Sequence, residues 1–207
     1  MQAFEILRIR SQMERIRMEI KQIGSNKDED LGPFLEKLCK FALENGAASA
    51  GIISVDKLEF NEEKASDDIQ NESTYWPFVD FNKDPISDIL KIYKKAVVFQ
   101  VCYLKSSPIS RIDSLKKVYE IAGKAEAYCF YNGYHMAVSL GAENCKTIFC
   151  NKEKDCQSLT RGRGCLYPLI ARPSIEGCRI NRSKIIEALK WGTDEHSQDF
   201  MGMIFVD

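Results

Sequence analysis

Between Ala3 and Ile23, the apolar residues Phe4, Leu7, Ile9, Met13, Ile16, Ile20 and Ile23 recur among arginines, lysines and glutamates, with no Gly or Pro before Gly24. That spacing predicts an amphipathic helix. The polar run from Gly24 to Asp30 sets it apart as a helical extension, residues 1–24. Its apolar stripe packs either on a partner subunit or on its own domain. Pro33 suits the first turn of a second helix, with Phe34, Leu35, Leu38, Phe41 and Ala42 on one side and Gly46 after its end.

Ala50 to Val55 reads as a buried strand, and residues 61–74, acidic and aperiodic, as a surface loop. A short helix from Pro85 to Tyr93 leads into Lys95 to Leu104, a continuous apolar run that predicts a strand buried on both faces. Ser110 to Leu140 follows as a long helix ending at Gly141. A helix near Arg182 to Lys190 and a strand from Met201 to Val206 close the pattern. Helices alternating with a few apolar strands predict an α/β or α+β fold with a small central sheet flanked by helices. We expect a single domain over residues 30–207, carrying a cysteine-rich loop at 141–181.

The chain has 207 residues, 44% of them hydrophobic, enough for one substantial core. With 29% charged residues and a formal net charge of -1, it has no global basic field of the kind nucleic acid attracts. No stretch of about 18 apolar residues occurs, and the N-terminus lacks the short apolar core of a signal peptide, so neither membrane nor secretion is expected. The eight cysteines are therefore placed in a reducing cytoplasm, where a cluster of them reads as metal-binding or catalytic in preference to a disulfide framework.

Cys145, Cys150, Cys156 and Cys165 follow the spacing C-x4-C-x5-C-x8-C and run into Leu166-Tyr167-Pro168. Thiolates select iron-sulfur cores or zinc over hard cations. Structural zinc sites favour paired C-x2-C knuckles, which the chain lacks, whereas iron-sulfur spacings vary more widely. A four-iron, four-sulfur (4Fe-4S) cluster leads, with zinc and no metal as the alternatives. Arg161, Arg163, Arg172, Arg179 and Arg182 make the surroundings basic, and Gly162 and Gly164 let backbone N–H groups approach cluster sulfurs. Each arginine taken alone reads as a solvated surface residue.

Gly133-Tyr134-His135-Met136-Ala137, Leu140-Gly141-Ala142, the four cysteines, Cys165-Leu166-Tyr167-Pro168 and Ala171-Arg172-Pro173-Ser174-Ile175-Glu176-Gly177 together resemble the C-terminal half of a family of predicted metal-binding proteins, a domain of unknown function. The resemblance implies that Cys145, Cys150, Cys156 and Cys165 are the metal ligands; it implies no reaction. The chain departs from the family in two places: Cys145 and Cys150 stand where a C-x2-C pair is usual, and Tyr75-Trp76-Pro77-Phe78 stands where a Cys-Pro-Pro-Tyr-like segment is common.

Cys178 reads as a buried apolar cysteine in preference to a fifth ligand, and Cys39, Cys102 and Cys129 as core. His135, placed on the long helix, is either an interior hydrogen-bonded histidine or a contact of the metal site; His196 falls in a polar loop. Arg172 either pairs with Glu176 to pin the loop or binds an anionic group on a partner. Phosphate-binding, dinucleotide, nucleophile-elbow and H-E-x-x-H signatures are missing, so catalytic residues stay unassigned. The leading reading is a cytoplasmic iron-sulfur protein of anaerobic metabolism that passes single electrons to or from a protein redox partner. The alternatives are an accessory or scaffold subunit of a larger complex with a structural cluster or zinc, docked through the N-terminal helix, and a reductase using the cluster with a flavin or corrinoid. A homo-oligomer is a further use of that helix.

Overall fold

The computed structural model describes residues 31–60, 90, 92–104, 108–153, 156–157, 164–192 and 197–206. The expected helix over 3–23, the loop at 61–74, His196, Arg161, Arg163 and Gly162 lie outside these residues, as does most of the helix expected from Pro85, of which Leu90 is helical and buried.

In chain order the elements are helix α1 (Gly32–Glu44), strand β1 (Ser49–Ser54), a 3-10 turn (Val55–Lys57), β2 (Lys95–Leu104), the long helix α2 (Pro108–Tyr131), β3 (Val138–Leu140), the short α3 (Cys145–Phe149), α4 (Arg182–Leu189) and β4 (Ser197–Val206). The strands form one sheet in the order β1-β2-β4-β3. Every pairing is antiparallel, so of the two expected classes the fold is α+β. No helix among the described residues is long and apolar enough to cross a membrane.

β2 is one of the two inner strands of the sheet, and its apolar run from Ala96 to Phe99 is explained by cover on both sides. Ala96 and Val98 join Met201, Met203 and Phe205 of β4 in a cluster closed by Ile53, Tyr93, Ile175 and Ile185. The intervening Val97 and Phe99 are equally buried and face the other way, where α2 lies against β2 and β4. Beyond Val101 only one face stays covered: Tyr103 is buried while Cys102 is exposed, against its expected place in the core. Cys129 is buried as expected, and Cys39 is half-buried. β1 is an edge strand in which Ile53 is buried and Ile52 is exposed, so its expected full burial does not hold.

The long helix stops nine residues earlier than its composition suggests. At Tyr131 the chain turns through Gly133 at φ 88, with Gly133 N–H donating to the Phe130 carbonyl (3.0 Å) and Tyr134 N–H to the Cys129 carbonyl (3.0 Å). That pair of bonds is a Schellman cap, and only a residue at ease with positive φ completes it. Ala, Val, Ser and Leu at 137–140 suit a helix or a strand equally; three of them instead extend the sheet as β3, paired with β4. His135 consequently sits in an exposed turn, its ring edge-on to Phe130 at 4.7 Å, and is neither helical nor interior.

Candidate metal centre

The cysteine loop leaves the sheet at Gly141 and returns to it at Ser174. Those two residues form a parallel bridge, with Gly141 N–H donating to the Pro173 carbonyl (2.7 Å) and Ile175 N–H to the Gly141 carbonyl (3.0 Å). The bridge closes the neck of the loop. Behind it stands Tyr119 of α2, whose buried hydroxyl donates to the carbonyls of Ala142 (3.0 Å) and Glu143 (3.2 Å). Its ring occupies the space a side chain at residue 141 would need: a Cβ there would lie 2.5 Å from Cε1. Gly141 is thus required by close approach, not by its own backbone angle.

Glu143 follows at φ 49, and its N–H donates to a carboxylate oxygen of Glu176 (3.0 Å) while its own carboxylate accepts from Arg111 (2.6 Å to Oε2). Burial raises the pKa of the Glu176 carboxyl. Arg172 does not pair with Glu176. Its Nε donates to Glu126 of α2 (2.8 Å), and Glu126 also accepts from the N–H (3.2 Å) and hydroxyl of Ser139 in β3. Arg172 therefore pins the returning limb of the loop to helix and sheet together, which is the structural role expected for it with a different partner.

Within the loop, Asn144 caps α3 by accepting from Lys146 N–H (2.8 Å). Cys145 is the first residue of α3 and Cys150 the residue closing it, with Cys150 N–H bonded to the Lys146 carbonyl (2.9 Å). Cys165 lies in an ordered turn: Tyr167 N–H donates to its Sγ (3.3 Å), and Ala171 N–H to the Tyr167 carbonyl (2.9 Å). Phe149 links the two limbs, edge-on to Tyr119 at 5.3 Å and against Tyr167 at 5.6 Å. All four cysteines are partly buried, and none of the chain's eight cysteines is bridged.

Cys145 and Cys150 each feel other thiols of the loop. Burial, then negative charge on Cys165, Cys156 and Cys150, pushes the Cys145 thiol up to about 12. Burial, followed by Cys165 and Cys156, raises Cys150 as well. Ionised thiolates within electrostatic reach repel, and a cationic centre held among them would offset that repulsion. Among the described residues no group of three or more His, Cys, Asp or Glu side chains, the four cysteines included, is already gathered to hold a metal ion. Cys178 sits apart in the hydrophobic cluster with burial raising its thiol pKa, as its sequence context suggests.

Sequence reasoning missed Tyr119, Glu126 and Glu143. The signals for them were Gly141 between Leu140 and Ala142, and the lone Arg172 before Pro173. No curated protein and no solved structure matches the chain. The model of the family described as "Predicted metal-binding protein (DUF2284)" matches residues 77–206, more than half of the 207-residue chain, and the chain belongs to that family.

Proposed function

We propose that Cys145, Cys150, Cys156 and Cys165 together hold one four-iron, four-sulfur cluster, and that the protein passes single electrons to or from a partner protein in a reducing compartment. The observation that carries this reading is that the Cys145 thiol lies within electrostatic reach of Cys165, Cys156 and Cys150 together, each of which disfavours its thiolate. The donor set fits such a group: four soft ligands in one loop and an N–H already directed at the Cys165 sulfur. When bound, the cluster supplies a one-electron couple.

Sequence spacing favours a cluster over one zinc ion: the chain lacks the paired C-x2-C knuckles that structural zinc sites prefer, and iron-sulfur ligand spacings vary more widely. The chain's other residues hold the frame. Tyr119 and the Gly141–Ser174 bridge fix the limb leading to Cys145, Arg172 and Glu126 fix the limb leaving Cys165, and the Phe149 and Tyr167 rings meet between them. A frame tied at both limbs changes little when one electron arrives, which is what rapid transfer needs.

Protein-film voltammetry of anaerobically prepared protein tests the reading. A reversible one-electron couple, lost together with iron on replacing Cys145, Cys150, Cys156 or Cys165 singly with Ala, is expected. A metal-loaded protein that accepts no electron leaves the accessory-subunit reading, with a stapling metal, in its place.

A further inference from the structure

The turn that follows Cys165 is an anomaly on the surface. Leu166, Tyr167, Leu169 and Ile170 are exposed by 51%, 39%, 82% and 40%, with Pro168 exposed among them. Five consecutive exposed apolar residues are not filler on a soluble surface, where large apolar side chains usually stand singly. Nor is the turn loose. Ile170 and Ala171 N–H both bond the Tyr167 carbonyl (3.2 and 2.9 Å), and Arg172 Nη1 donates to the Pro168 and Ala171 carbonyls (3.3 and 2.9 Å). Its apolar side chains are thus presented outward by a backbone fixed from within, and its first residue is bonded directly to Cys165.

The charge around the turn selects the partner. From Cys145 to Arg182 the chain carries eight Lys and Arg against three Asp and Glu, although its net charge as a whole is -1. Exposed Lys152 and Arg179 belong to this excess. Arg172 and Arg182 are committed to Glu126 and Asp199, and the six remaining cations against three acids leave an excess of three, which the roughly two negative charges of an oxidised thiolate-held four-iron core reduce without reversing. An apolar centre in a basic surround complements a partner with an apolar contact and an acidic rim.

We propose that the Leu166–Ile170 turn is the docking face for an acidic one-electron carrier protein, which meets the chain beside Cys165. The inference rests on the electron-transfer reading above and names the partner class for that site. One electron leaves the reduced carrier, which becomes oxidised, and is taken up at the thiolate-held centre; no proton or other atom is exchanged. The contact places the carrier one residue from the proposed ligand Cys165.

The test uses full-length protein prepared anaerobically, with a small acidic two-iron ferredoxin as probe and basic cytochrome c as its opposite in charge. Binding is measured by calorimetry with oxidised carriers, so the readout does not depend on turnover. The acidic carrier is expected to bind, with affinity falling as salt rises from about 0.02 to about 0.3 M, while cytochrome c binds at least tenfold more weakly. Leu166→Ser with Leu169→Ser should weaken the acidic carrier at least tenfold, whereas Leu43→Ser, an exposed leucine on α1, should not; circular dichroism confirms the fold of each. Equal binding to the doubly substituted protein, or preference for cytochrome c, overturns the proposal. So does a wild-type dimer that the Leu166 and Leu169 substitutions convert to monomer, because the turn then serves a second copy of the chain. Iron and sulfide assays on the same samples separate the two levels: a chain without a cluster refutes the electron-transfer reading, while a cluster reduced by dithionite in a protein whose turn binds no acidic carrier refutes only the docking inference.

Discussion

Replacing Gly141 with Ala puts one methyl group into the tightest point of the loop's neck. The new Cβ would stand 2.5, 2.7 and 3.0 Å from Cε1, Cζ and Cδ1 of Tyr119. Carbon atoms rest at about 3.5–4.0 Å, so ring or backbone must yield by about 1 Å. The ring has little room to yield: Tyr119 is 1% exposed and its hydroxyl is committed to the Ala142 and Glu143 carbonyls. Overpacking of this kind costs about 1–3 kcal/mol. Displacing the hydroxyl adds about 1 kcal/mol for its lost bond. The sum is about 2–4 kcal/mol, or roughly 4–16 °C in melting temperature for a chain of this size. Urea unfolding of the Gly141→Ala protein, followed by far-ultraviolet circular dichroism, measures it. Tyr119→Leu in the same chain should recover part of the loss, giving a coupling energy between the two sites. A Gly141→Ala protein within about 0.5 kcal/mol of wild type would refute the claim that the Tyr119 ring fills the neck.

Arg172→Ala should destabilise the protein by about 1–3 kcal/mol and lower iron retention, since the Glu126 carboxylate loses its charged donor; Arg172→Lys should restore only part, because a single ammonium cannot reach Glu126 and both loop carbonyls together, and unchanged stability and iron content in both variants would dismiss the clamp. Cys129 makes a pH prediction. Burial first, then Glu126, holds its thiol up to about 12 against an ordinary 9.0, so the folded state keeps a proton that the unfolded chain releases. Stability from this group is therefore complete below about pH 9 and lost as pH rises toward 12, and Cys129→Ala should flatten the alkaline limb of a stability–pH profile. An identical limb in wild type and variant would count against it.

The parts of the fold legible in the chain were those with long, single-purpose patterns. Ala96 to Phe99 are apolar because both faces of β2 are covered there, and the strand has the expected limits, Lys95–Leu104. Pro33 and Gly46 bracket α1 closely enough to place it. The boundary at Tyr131 was hidden because residues 132–140 retain helix-compatible side chains, and the signal that ends the helix is the left-handed Gly133, one glycine among several. β3 spans three residues, too few for a two-residue period to register. Cys102 misled for a related reason: an apolar run does not reveal where its cover ends. At the site, spacing alone brought out the four cysteines, while Tyr119 and Glu126 lie more than a dozen residues upstream on α2, joined to the loop only through the fold.

The central claim is that four thiolates of one loop hold an iron-sulfur cluster. Its most direct test is the iron, acid-labile sulfide and zinc content of the anaerobically purified protein, read with its visible spectrum. The account predicts a brown protein with about four irons and four sulfides per chain, whose broad absorption bleaches on reduction. A colourless protein carrying one zinc and no sulfide, expressed with ample iron, would contradict it.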